Sequence, residues 1–262
     1  MGGGSNIATI DLNADLGESF GHYSVGDDAA VLEAVSSANI ACGFHAGDPH
    51  GIRTVCRLAA GRGVSIGAHP GYRDLVGFGR RRIEYDLHEL TDEVIYQVAA
   101  LQGIAASVGD RVRYVKPHGA LYNAIAVRED EARAVARAIT ELDDGLPLMV
   151  LHGSVAERVA RASGLRTVSE AFADRGYTAH GTLAPRGAPG AILPADAAIA
   201  QAVRIAIEGR IAAIDGTEIE VAADSICLHG DNPQAVQLAH RIRAGIEAAG
   251  VRIAGIGSGA SG

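Results

Sequence analysis

The chain has 262 residues, 48% hydrophobic and only 4% aromatic, with no tryptophan and a formal net charge of −8. That length suits one (β/α) barrel of roughly 250 residues, the apolar content argues against disorder, and the acidic balance argues against DNA, RNA or an anionic membrane as partner. Three cysteines without a CxxC pair argue against a disulfide framework or zinc knuckle. No apolar run approaches the ~18 residues of a membrane span, and the N-terminus lacks the basic and apolar regions of a signal peptide, so a soluble cytoplasmic protein is expected.

Apolar runs of strand type alternate with helical patterns. Residues 7–12 read as a first strand, followed by a helix near 27–36 and a second strand at 38–44 (ANIACGF). A helix at 52–60 starts near Asp48 or Pro49, and 64–68 is a third strand. A long helix at 90–108, with Thr91 and its trailing acids as start signal, leads to a fourth strand at 112–115. An Ala-rich helix at 129–142, a fifth strand at 146–151, a helix at 155–162 and a sixth strand at 167–171 come next. Then come a long Gly/Pro-rich loop at 173–194, a helix at 196–208, a small hairpin at 211–221 turning at Asp215-Gly216, a seventh strand at 226–228 and a last helix at 234–249.

Seven strand–helix units in unbroken alternation mean a parallel sheet with helical crossovers, either open and doubly wound or closed into a barrel. The segment after strand one, DLNADLGES, lacks the GxGxxG dinucleotide fingerprint, and no GxxxxGK[ST] occurs, because Lys116 is followed by proline. A barrel is favoured: one domain over 1–262, with flexible Gly/Ser-rich ends at 1–5 and 257–262.

In parallel barrels the active site forms at the C-terminal ends of the strands. The polar residues at or just after the end of each expected strand are Asn13, Asp15 and Glu18; His45 and Asp48; His69; Lys116 and His118; His152; Glu170, Asp174 and Arg175; and His229, Asp231 and Asn232. One such histidine alone reads as a hydrogen-bonded core or loop residue. Five of them, each within two residues of Gly or Pro, point collectively to a site, since Gly permits close ligand approach and Pro stops the strand. His22, His88 and His240 carry little weight, His50 is intermediate, and His180 sits in the long loop, which reads as a lid. Lys116 is the only lysine among 23 Lys and Arg residues. A position that keeps a compact point charge against an arginine bias points to close contact with an anion or a developing oxyanion.

The stretches DLNADLGES (11–19), SSANIACGFHAGDP (36–49), GAHPGYRDLVGFGRR (67–81), VKPHGALYN (115–123), EAFADRGY (170–177), GTLAPRGAPGAI (181–192) and ICLHGDNPQA (226–235) resemble the LamB/YcsF family, the A subunits of bacterial 5-oxoprolinase. The resemblance runs from the first strand to the last. It implies an α/β fold, an irregular seven-stranded (β/α) TIM-like barrel resembling the glycoside hydrolase and deacetylase barrels. It implies ATP-driven opening of the 5-oxoproline lactam to L-glutamate, together with partner subunits B and C. His50, His152 and His180 fall outside the family motifs and rank below His45, His69, His118 and His229.

Lactams are stabilised amides, so phosphorylating the carbonyl oxygen would couple ring opening to ATP; with no nucleotide fingerprint here, that step is expected in a partner. Asp15 or a histidine is expected as general base and His118 as acid to the ring nitrogen. Lys116 and Arg186 would hold carboxylate or phosphate oxygens, while Glu18, Asp231 and Glu170 orient the histidines. Asn13 and Asp174 are expected beside the substrate. By analogy with deacetylase barrels, a divalent metal would sit on Asp15, His45 and His69. Two rival readings are a stand-alone metal-dependent amide or sugar deacetylase, and a binding subunit that does no chemistry.

Overall fold

A computed structural model of the chain describes residues 8–228 and 233–258. Seven parallel strands close into a barrel: β1 (Thr9–Leu16), β2 (Ser37–Ala41), β3 (Ser65–His69), β4 (Val112–Val115), β5 (Leu148–Leu151), β6 (Thr167–Phe172) and β9 (Ser225–Leu228), which returns to pair with β1. The helices are α1 (Asp28–Val31), α2 (Pro49–Arg62), α3 (Leu87–Ala106), α4 (Gly119–Val127), α5 (Glu129–Asp143), α6 (Val155–Ala162), α7 (Ala195–Glu208) and α8 (Pro233–Ala248). The expected hairpin is β7 (Arg210–Ala212) against β8 (Glu218–Glu220), antiparallel. No helix among the described residues is long and apolar enough to cross a membrane.

The strands are buried on both faces, but the faces differ. Along β1, Ile10, Leu12, Ala14 and Leu16 join the apolar core, while the alternate Asp11, Asn13 and Asp15 meet polar partners from the other strands. This corrects the first expected strand. Asn13 and Asp15 do not come after it; they lie inside it, because the barrel interior is polar and the apolar layer is between sheet and helices. The pattern repeats on β2, where Ser37 and Asn39 alternate with Ala38 and Ile40.

One end of the barrel is plugged. The chain after α8 forms β10 (Arg252–Ile253), which pairs with Thr9 and Ile10 of β1. It then crosses below β2, where Ile256 N–H donates to Ser37 Oγ at 3.2 Å and Ile256 packs on Tyr114, Met149 and Val168. A Cβ on Gly255 would lie 2.4 Å from the Ser36 carbonyl, so only glycine lets the chain pass this closely. Neither β10 nor α4 was expected. Helix α4 starts at a glycine with φ +52 and has no side-chain cap, so it lacks a start signal; its N-cap His118 turns its ring elsewhere.

Candidate functional site

The opposite, C-terminal end of the barrel opens into a cavity of about 470 Å³ lined by residues that include Asp15, Glu18, His69, Lys116, His118 and Arg186. Beneath it lies a closed polar network. Lys116 is 3% exposed, and its Nζ lies 2.7 Å from Glu170 Oε1, 3.0 Å from Asn13 Oδ1, 3.1 Å from Cys227 Sγ and 3.2 Å from Asp15 Oδ1. Burial opposes the ammonium charge, but Asp15, Cys227 and Glu170 outweigh it and hold the lysine well above its ordinary range. Asn13 is saturated. Its amide donates to Glu170 and Ser225, and its carbonyl accepts from Asn39 and Lys116. Asn39 in turn donates to Asp15 and accepts from the Tyr114 hydroxyl at 2.6 Å.

Above this network, Glu18, His45, His69 and His118 each offer a ligand atom, all within 4.8 Å of one another, and all four residues are buried. Local backbone choices bring them together. Glu18 comes after β1, past a turn at Gly17 with φ +71. His45 lies between β2 and α2, whose N-cap Asp48 takes the amides of His50 and Gly51. His69 ends β3, and His118 precedes α4. The loop after β3 covers the cluster. Phe78 has φ 55, unusual for a bulky residue, and its carbonyl accepts from His118 Nε2 at 2.8 Å. A Cβ on Gly79 would lie 2.7 Å from atoms of both His45 and His118.

The ring nitrogens reveal what the cluster lacks. His69 Nδ1 faces the Lys116 carbonyl at 2.7 Å, and His118 Nε2 faces the Phe78 carbonyl. Carbonyls only accept, so those two nitrogens carry the protons. With one proton per ring, the other nitrogens, His69 Nε2 and His118 Nδ1, point lone pairs at each other across 3.0 Å. Asp15 Oδ2 is 3.3 Å from His69 Nε2. Glu18 Oε1 lies 3.5 Å from His118 Nδ1 and 3.4 Å from His45 Nε2, and neither His45 nitrogen makes a hydrogen bond among the described residues. His45 and His118 stack at 3.7 Å. Burial first, then mutual repulsion among the histidines, pushes His118 down to about 3 and His45 well below its ordinary value. Asp15 is held well below the usual carboxylate range: burial opposes this, but His69 and Lys116 prevail.

Buried lone pairs that converge without a proton between them call for a cation. The separations of 3.0, 3.4 and 3.5 Å are close to the about 3.3 Å edge of a tetrahedron with ~2.0 Å bonds, and nitrogen-rich sets with one carboxylate suit divalent transition metals. The residues therefore fit a metal. The fitting set shares His45 and His69 with the expected one and adds Glu18 and His118. Asp15 stands beside it, toward Lys116.

Of the other expected residues, Glu170 and Asn13 lie in the network under the cavity, and Arg186 lines its wall. Asp174 is half-buried and does not line it. His229 and Asp231 lie outside the described residues. His152 is partly exposed, 4.0 Å from Glu157, and away from the cluster; His22, His50, His88, His180 and His240 are exposed. Sequence reading missed the roles of Asp11, Asn39, Tyr114, Arg175 and Cys227. Four of them have a visible signal: they stand two or four residues before, or at the matching inward position beside, a residue already picked, on the inward face of a strand.

The profile described as the LamB/YcsF family matches residues 10–260. The chain is 60% identical over 242 residues to the A subunit of 5-oxoprolinase from Nocardia farcinica, covering 92% of this chain and 97% of the relative. It superposes with TM-score 0.90 and 45% identity on the crystal structure of a lactam utilization protein from Thermus thermophilus, covering 94% of this chain and 99% of that one. A family 4 carbohydrate esterase from Streptomyces lividans, solved with acetate, is alike in fold alone, with TM-score 0.52 and 11% identity over 97% of this chain and 95% of that one. A match across nearly the whole chain, which takes in the cavity floor and the histidine cluster, leaves one conclusion: the chain belongs to the LamB/YcsF family.

Proposed function

We propose that this chain is the ring-opening component of an ATP-dependent 5-oxoprolinase, converting the lactam of 5-oxoproline to L-glutamate with partner subunits B and C. The observation that carries the reading is the juxtaposition of Asp15, Lys116 and the Glu18–His45–His69–His118 cluster at the floor of a cavity sized for a small molecule. The names of the N. farcinica and T. thermophilus relatives support the lactam as substrate. In this reading a partner transfers the terminal phosphoryl group of ATP to the lactam carbonyl oxygen, and ring opening by water leaves an acyl phosphate whose hydrolysis gives L-glutamate and inorganic phosphate.

A divalent metal held by Glu18, His45, His69 and His118 would supply Lewis-acid polarisation and a nucleophilic water at neutral pH. The chain's own residues do the rest. Asp15 is the partly exposed carboxylate, at 23%, and stays ionised beside His69 and Lys116. It takes a proton from the attacking water as oxygen bonds to the carbonyl carbon. Lys116, locked by four partners, places fixed positive charge beside the activated carbonyl oxygen and its phosphoryl group. When the C–N bond breaks, Asp15 returns the proton to the ring nitrogen. His118, neutral and turned into the cluster, serves better as a lone-pair donor there than as the acid.

The test is ATP-dependent glutamate formation from 5-oxoproline by this chain with subunits B and C. Lys116→Arg and His118→Asn should each lower turnover by at least ~100-fold while assembly persists. Full activity in both variants would move the chemistry to a partner and leave this chain a binding subunit. Hydrolysis of acylated sugars without ATP or partners would favour the deacetylase reading instead.

A further inference from the structure

The cavity is electrically polarised. Asp15 and Glu18 face its floor, and Arg175 and Arg186 stand on the wall formed by the loop after β6. Arg175 is only 7% exposed. Its Nε donates to the Ala191 carbonyl at 3.1 Å and one terminal nitrogen donates to the Ala184 carbonyl at 2.8 Å. These two bonds hold the guanidinium plane fixed and leave further N–H groups for the cavity side. Arg175 makes no ion pair among the described residues, although Asp174, next in the chain, attracts its charge. Burial and the neighbouring Arg186 both work against that charge.

A buried guanidinium without a carboxylate is an expensive arrangement, and a second guanidinium close by makes it more so. Both side chains line the cavity, and an anion there would offset the cost at Arg175 through charge-assisted, bidentate hydrogen bonds. The backbone around Arg175 is built to hold it there. Gln201 donates to the carbonyls of Phe172, Ala173 and Arg175, and a Cβ on Gly176 would lie 2.1 Å from the Gly190 carbonyl. Loop and helix α7 thus clamp the residue rather than leave it to swing to solvent.

We infer that Arg175 and Arg186 form an anion subsite for the carboxylate of a lactam acid, which leaves the ring amide to face Asp15, Lys116 and the histidine cluster. This assignment rests on the reading of the chain as a lactam-opening subunit. It makes Arg175 a specificity-determining residue: a substrate set the other way round would press its carboxylate against Asp15 and Glu18.

Calorimetric titration of the full chain tests it, with 5-oxoproline, its uncharged carboxamide and inorganic phosphate as probes. Wild type should bind 5-oxoproline roughly 10- to 100-fold more tightly than the carboxamide, the worth of one charged hydrogen-bonded contact. Arg186→Gln should lose most of that preference and keep its affinity for the carboxamide. Arg175→Lys should weaken 5-oxoproline in the same way, but it also removes the bonds to Ala184 and Ala191, so the comparison of ligands on wild type decides. Equal binding of both lactams overturns the subsite and leaves the lactam reading intact. A preference that survives in Arg186→Gln overturns the assignment to this wall. Phosphate bound more tightly than 5-oxoproline, and lost in Arg186→Gln, overturns the carboxylate in favour of a phosphoryl group. Binding of neither lactam overturns the subsite and the lactam reading together.

Discussion

The two ends of the barrel interior are built from the same strands and could hardly differ more. At the plugged end, Asp11 is buried, and its two oxygens accept from the hydroxyls of Ser36, Ser37 and Ser225. Four residues along the same strand, Asp15 opens toward the cavity beside His69 and Lys116. The first carboxylate is satisfied by neutral donors and closed in. The second belongs to a group of charges and lone pairs whose partners are incomplete, with both nitrogens of His45 lacking a hydrogen bond among the described residues. Polar groups satisfied by the fold serve the fold; polar groups that the fold leaves short are held ready for a ligand.

Lys116 sits where the two ends meet, so replacing it should have the largest effect. Lys116→Met leaves Glu170 as an uncompensated buried charge and takes the ammonium away from Asp15, and a loss of about 3–5 kcal/mol in denaturant unfolding is expected along with loss of turnover. An unchanged midpoint would mean that the network is not holding the barrel. Next in size is the metal. Zinc or manganese added to chelator-stripped protein should stabilise it by about 4 kcal/mol at 1,000 times the dissociation constant, seen as a rise in melting temperature, and His45→Ala should abolish the rise. A rise that persists in His45→Ala would move the ion elsewhere.

The plugged end gives the third effect, through pH. Burial raises Asp11 from 3.8 to about 6, against the hydrogen bonds of Ser225, Ser37 and Ser36. Between those values the folded chain keeps a proton that the unfolded chain has lost, so stability falls as pH rises from about 4 to about 6, by about 3 kcal/mol, and is level above. Asp11→Asn should remove that fall, so its stability relative to wild type should improve from pH 4 to pH 7; a flat difference would show that Asp11 ionises normally. The smallest effect is His152→Ala. The residue comes after β5 as the others come after their strands but points away from the cluster, and stability should change by no more than about 0.5 kcal/mol with turnover intact. A large loss of turnover would reopen the boundary of the site.

How much of this was legible before the structure depended on the residue. His45, His69, Lys116, His118 and Glu18 stood out because each succeeds or ends a strand, and a parallel barrel gathers such positions at one rim; Glu170, read at the end of the sixth strand, lies inside it. His152 stood out for the same reason and does not join them, since position along a strand does not say which way the next turn points its side chain. Asp11, Asn39 and Tyr114 were passed over because strand interiors were read as apolar, whereas here the apolar face is the outer one. Arg175 was read as a loop residue; that its guanidinium is buried depends on Ala184 and Ala191, which reach it from across the loop.

By itself the sequence determined the alternation of strands and helices and the rim where the candidate site lies, because those arise from periodicity and from glycine and proline, which act over a few residues; closure into a barrel was favoured only by the missing nucleotide fingerprints and the family resemblance. Only the tertiary structure decided that Glu18 and His118 join His45 and His69, that Asp15 stands beside Lys116 and that Arg175 is buried without a carboxylate among the described residues. Those relations join side chains tens to more than a hundred positions apart, and they are set by strand register, by the fold of the Phe78–Gly79 loop and by which ring N–H groups the backbone carbonyls have already taken.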